Sequence, residues 1–291
     1  MNNLQAAITY ALLSVFLALI TFLMTHELTW VLTIASLAML YGSLSPLIAA
    51  RRLYYLSTAS SHASLLAVSL ALIITETFKV GTLYLWASLT SLTLVFGVGY
   101  LIYKGVDPDV ATSAFVAATT ASSVILLYYV LVNFRSVYSV NALIIGDPLL
   151  ISPSEAYLAL GIGLTALLTS VTTFREHVCL GIDKDILKLA GVKVYLYDVT
   201  LYGLIAVSSI LLVKLVGYVL THVMVLMPAL ISINVSKCAC KTLINSVGLS
   251  VLISLTGLLV STKLNIAPSG AIGLLMFLTY LTSFFYGFKV R

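Results

Sequence analysis

Residues 4–24 read LQAAITYALLSVFLALITFLM, and this run from Leu4 to Met24 contains no Asp, Glu, Lys or Arg. As an α-helix rising about 1.5 Å per residue it spans roughly 31 Å, enough to cross a hydrocarbon core of about 30 Å. The stretch 243–262, LINSVGLSVLISLTGLLVST, repeats the pattern near the other end of the chain. Strands of a membrane barrel alternate apolar and polar residues over about 10 positions. Runs this long and unbroken predict an all-α integral membrane protein, a polytopic bundle of about eight to ten transmembrane helices.

Composition leads to the same class. Of 291 residues, 61% are hydrophobic and 9% charged, with a mean hydropathy of +1.12. Soluble domains carry roughly 25% charged residues, so a soluble enzyme, a nucleic-acid binder, a secreted disulfide scaffold and a disordered chain are all excluded. The three cysteines, Cys179, Cys238 and Cys240, cannot build a disulfide framework. Met1-Asn2-Asn3 lacks the basic start of a signal peptide and no small-x-small site closes the first run, which reads as a retained span.

Ten apolar segments emerge at 4–24, 28–50, 59–76, 80–103, 110–132, 154–174, 196–215, 217–235, 243–262 and 269–288. The third opens with polar Ala59-Ser60-Ser61-His62, and only Lys214 and Gly217 separate the seventh from the eighth. Basic residues then set the orientation. With the C-terminus inside, inner loops hold Arg51, Arg52, Lys104, Arg175, Lys184, Lys188, Lys193, Lys237, Lys241, Lys289 and Arg291, and outer loops hold only Lys79, Arg135, Lys214 and Lys263. Eleven against four places both termini in the cytoplasm.

The longest polar connection, from Phe174 to Tyr195, lies on that cytoplasmic side. Within it, residues 182–192 are expected to form a short helix capped by Asp183, with Ile186, Leu187 and Ala190 on one face and Gly191 as its stop. Such a helix either rests on lipid headgroups or docks a cytoplasmic protein. On the outer side, Ser152-Pro153-Ser154-Glu155 is a helix start signal: an N-cap, Pro in the first turn and Glu three residues on.

No Walker A pattern occurs, His26-Glu27 lacks the second His of a metalloprotease helix, and Cys238-Ala239-Cys240 makes no closed zinc site. No catalytic residues are expected. The informative residues are polar ones at membrane depth, which are costly there and mark pathways. His62 sits among Ser60, Ser61 and Ser64, and His222 follows Thr221 and precedes Met224 and Met227. Imidazole and thioether are ligands for transition metals, although a lone His within a span equally serves as a helix-to-helix hydrogen bond.

These residues resemble landmarks of the permease subunits of zinc/manganese/iron ABC importers, the ABC-3 family. Gly42-Ser43-Leu44, Arg51-Arg52-Leu53 and Ser61-His62-Ala63 are similar to that family's R-R-x-x-x-x-x-D-x-x-x-H-A stretch. Asp109 precedes a span, and Ile145-Gly146-Asp147 with Ser152-Pro153 and Glu155 resembles its external loop. Asp185-Ile186-Leu187 through Ala190-Gly191-Val192 resembles its coupling helix; Gly217 through Pro228-Ala229, and Pro268-Ser269-Gly270, complete the order. The resemblance covers the chain from about Ala38 to the C-terminus, so residues 1–27 are expected to be an additional transmembrane segment ahead of a permease domain at 28–291.

The resemblance implies a translocation subunit with no cofactor and no chemistry of its own, in the plasma membrane of a prokaryote. Its partners would be an ATP-binding cassette subunit that holds the ATP, an extracytoplasmic solute-binding protein, a second permease copy or paralogue, and lipid, but no nucleic acid. The implied cargo is a divalent metal ion, zinc or manganese; a haem or siderophore chelate, or a non-transporting relative, is the alternative. One departure stands out. Where the family carries Asp four residues before the His, this chain has Thr58. His222, with Met224, is the candidate replacement ligand.

Overall fold

The computed structural model describes residues 3–134, 151–215 and 218–290. Among these residues there are eleven helices and no strand: α1 (Asn3–Thr25), α2 (Leu28–Ala50), α3 (Tyr54–Phe78), α4 (Leu83–Tyr103), α5 (Pro108–Asn133), α6 (Pro153–Ile182), α7 (Lys184–Leu189), α8 (Val194–Leu215), α9 (Tyr218–Val235), α10 (Ala239–Leu264) and α11 (Pro268–Val290). Eight are long and apolar enough to cross a membrane, and α8 and α9 contribute shorter apolar stretches at Val194–Ser209 and Leu220–Val235. Each of the ten expected segments therefore falls on a helix.

Several helix starts follow from local chemistry. Ser152 Oγ accepts from the Glu155 amide while the Glu155 carboxylate accepts from the Ser152 amide, closing a capping box ahead of Pro153. Asp107 caps α5 and Thr82 caps α4, each side chain accepting from a first-turn amide. The two largest departures from the expected boundaries are in α3 and α6. α3 begins at Tyr54, not 59, because the chain turns within Arg51–Leu53 with Arg52 at φ 55°. α6 runs to Ile182, not 174, because Arg175, Glu176 and His177 are polar without being helix breakers; the helix stops only where Asp183 caps its successor.

The helices group into two compact units. The first comprises Met1–Arg52, Asp147–Val192 and His222–Arg291. Its centre is α2, whose Leu37, Ala38, Tyr41, Leu44 and Leu47 are fully buried. α2 packs against α6 and α10 at small residues, as helices do where the surrounding solvent is itself apolar. Gly163 of α6 abuts the Ser36 backbone, and Gly181 leaves no space for a Cβ beside the Ala50 carbonyl. Ser45 on α2 ties in α9 next to Pro228: its hydroxyl donates to Leu226 O at 3.2 Å and accepts from the Ala229 amide at 3.1 Å. A proline interrupts the helical ladder, and a hydroxyl from a neighbouring helix satisfies the groups around the break. On the outside of this unit α1 leans on α10, Tyr10 against Gly248.

The second unit comprises Leu53–Gly146 and Lys193–Thr221. Here α3 packs on α4, α5 and α8. Leu56, Val95, Val98, Ala111, Tyr202 and Ala206 form one core cluster, and Val68, Ala71, Leu72, Ala87 and Val130 form another.

Candidate functional site

The polar residues of α3 separate onto two faces. Ser57, Ser60, Ser61 and Ser64 are buried in the second unit, whereas Tyr55, Thr58, His62 and Leu65, spaced by three, four and three residues, make a more accessible stripe. On the buried face, the Ser60 and Ser209 hydroxyls lie 2.8 Å apart and join α3 to α8. On the accessible stripe, His62 Nδ1 is 3.0 Å from the Thr120 hydroxyl of α5. Thr112 and Thr119 of α5 bond back to carbonyls of their own helix; Thr120 reaches across to the histidine. Thr58, one turn before His62, donates its hydroxyl proton to Tyr54 O at 2.9 Å.

The other two candidate ligands belong to the first unit. His222 is half-buried near the start of α9. Met224 is 2% exposed, and its sulfur accepts a hydrogen bond from the Ser254 hydroxyl of α10 at 3.9 Å. The external-loop candidates Gly146 and Asp147 lie outside the described residues.

The candidates between Asp183 and Gly191 form the predicted short helix, trimmed at its ends. α7 is six residues long; Asp183 Oδ1 accepts from the Asp185 and Ile186 amides, and Lys188 donates to Asp185 Oδ1 at 2.9 Å. That hydrogen bond, with the charge of Lys188, holds the Asp185 carboxyl below its ordinary range. Ala190 is the C-cap and Gly191, at φ 82°, turns the chain away. Leu187 is half-buried, but Ile182, Ile186 and Leu189 are 81%, 64% and 88% exposed. One end of this element is anchored in the first unit. The buried His177 of α6 accepts at Nδ1 from the Arg51 guanidinium beyond α2 at 3.4 Å, one turn before Gly181 meets Ala50.

Residues 24–287 match the ABC 3 transport family. The chain belongs to that family. It is 25% identical over 260 residues to the manganese import system permease protein ScaB of Streptococcus parasanguinis, covering 89% of this chain and 90% of the relative. The ScaB of Streptococcus gordonii is 26% identical over 251 residues, 86% of this chain and 87% of that one. The fold is shared with a solved structure, PsaBC from Streptococcus pneumoniae in complex with Fab, at a TM-score of 0.77, 21% identity and coverage of 92% and 94%.

As an ABC 3 family member, the chain is a multi-pass membrane permease of a transport system. Thr120 is the residue that sequence reasoning missed. It lies among threonines and serines at similar spacing along α5, and only the packing of α5 on α3 singles it out.

Proposed function

We propose that this chain is the permease subunit of an ABC importer for a divalent metal ion, with manganese as first cargo and zinc as second. The observation that carries this reading is the similarity to the manganese import permeases along about nine-tenths of both chains. In the second unit His62 supplies an imidazole at membrane depth and Thr58 a hydroxyl one turn away; in the first unit His222 is proposed as a separate candidate ligand, with Met224 as its buried support. The accessible stripe of Tyr55, Thr58, His62 and Leu65 then faces the path, which a second permease copy or paralogue would complete.

α7 is proposed to receive the ATP-binding subunit. A six-residue helix with Ile186 and Leu189 in solvent has an apolar surface to cover, and Arg51–His177 and Gly181–Ala50 connect the helix before it to α2. ATP is then hydrolysed on the partner and none of the steps of hydrolysis falls to this chain. A solute-binding protein would deliver the metal on the opposite side. The distribution of Lys and Arg supports cytoplasmic termini in the plasma membrane.

The test is reconstitution with the candidate ATP-binding and solute-binding subunits in liposomes, measuring uptake and ATPase rate against manganese, zinc, iron and copper. Stimulation by manganese or zinc that His62→Ala abolishes is the expected result. A stable complex stimulated by no free metal, or by haem or a siderophore chelate alone, would overturn the metal reading.

A further inference from the structure

A cavity of about 790 Å³ opens in the first unit between α1, α6 and α10. Tyr10, Leu167, Val171 and Val247 are among its walls, and the lining is almost wholly apolar. Along α10 it extends from Cys240 to Val251, eleven residue steps or about 16 Å at the helical rise, which is one leaflet of a bilayer whose core is about 30 Å. Among the described residues, one charged side chain lines it. Arg175 stands at the end shared with Cys179, Ala239 and Cys240, and it has no hydrogen bond or ion pair among the described residues.

That end is the polar one. Beyond it α6 and α10 lead to Lys184, Lys188 and Lys237, and Lys241 stands level with it, the basic concentration that marks headgroup level on the cytoplasmic side. An apolar slot one leaflet deep with an unpaired guanidinium at its mouth matches one class of molecule in shape and charge. We infer that the cavity is a binding site for an anionic glycerophospholipid of the cytoplasmic leaflet. Its acyl chains lie along α10 and its phosphate accepts hydrogen bonds from the Arg175 guanidinium, a planar donor suited to phosphate. The lipid fills the space that α1 leaves uncovered, since α1 buries only Ala6 and Thr21 among its residues.

The full chain, extracted in mild detergent from nanodiscs of equal phosphatidylglycerol and phosphatidylcholine, is to be weighed by native mass spectrometry. One retained phospholipid per chain, enriched in phosphatidylglycerol, is expected. Arg175→Gln should cut that enrichment about fivefold, the worth of one surface cation at an anionic membrane, while Arg175→Lys retains most of it and Lys104→Gln, in the second unit, retains all. Ala11→Trp, which fills the slot, should lose the lipid whatever its headgroup; helical content by circular dichroism confirms that each variant is folded. Equal retention of the two lipids by the wild type, an Arg175→Gln result indistinguishable from Lys104→Gln, or a second copy of the chain in place of the lipid would overturn the proposal.

Discussion

His62 Nδ1 lies 3.0 Å from the Thr120 hydroxyl, so α3 and α5 are joined at the one imidazole on the accessible stripe of α3. In the tautomer with its proton on Nδ1, the ring donates to Thr120 and presents the Nε2 lone pair to a ligand. Partners of this kind change metal affinity by about 10- to 100-fold when removed. Thr120→Val should therefore weaken metal-stimulated transport by about tenfold or more, and Thr120→Ser should restore it. A transport titration of the two variants at equal Tm checks this; equal transport by Thr120→Val and wild type would remove Thr120 from the site.

Thr58 stands one helical turn from His62 on the same stripe. A carboxylate there adds a hard oxygen ligand and a negative charge next to the imidazole, both favourable to manganese. Thr58→Asp should lower the manganese concentration needed for half-maximal ATPase stimulation. The competing outcome, a higher concentration or loss of stimulation, would show that the hydroxyl is required.

Leu189 is 88% exposed on α7. A surface substitution away from special features changes stability by no more than about 0.5 kcal/mol, so Leu189→Asp should leave Tm unchanged while abolishing co-purification with the ATP-binding subunit. Retained co-purification would place the docking surface elsewhere.

Asp185 is fully exposed and held below its ordinary pKa of 3.8 chiefly by the hydrogen bond from Lys188. A carboxyl lowered on folding adds stability that is present above the unfolded value and is lost as pH falls through the folded one. α7 should thus stay formed at neutral pH and loosen only below about pH 4. Carbon-13 NMR of Asp-labelled protein should show Asp185 titrating below 3.8, and Lys188→Met should move it upward.

Gly181 faces the Ala50 carbonyl with no space for a methyl group. Gly181→Ala should cost about 1–3 kcal/mol, the usual penalty for overpacking, seen as a lowered Tm in detergent. It should also uncouple ATPase activity from uptake, because this contact links the run-up to α7 with α2.

The hydropathy of Leu4–Met24 and its nine counterparts decided the class of the protein without any structure, because in a bilayer the backbone must satisfy itself within each helix. The starts at Ser152 and Asp183 were equally legible, since a cap depends on residues within one turn of each other. Helix ends were less so: Arg175, Glu176 and His177 look like loop in composition, yet α6 continues through them because His177 is buried against Arg51, a residue 126 positions away. The same reason hid Thr120 and the Arg175 cavity. Each arises where helices distant in the chain meet, and sequence period reports which face of a helix is apolar but not which neighbour comes to cover it. Charge and hydropathy act within a helix and are read from the chain; the pairing of His62 with Thr120, and of Arg175 with an apolar slot, was decided only by tertiary packing.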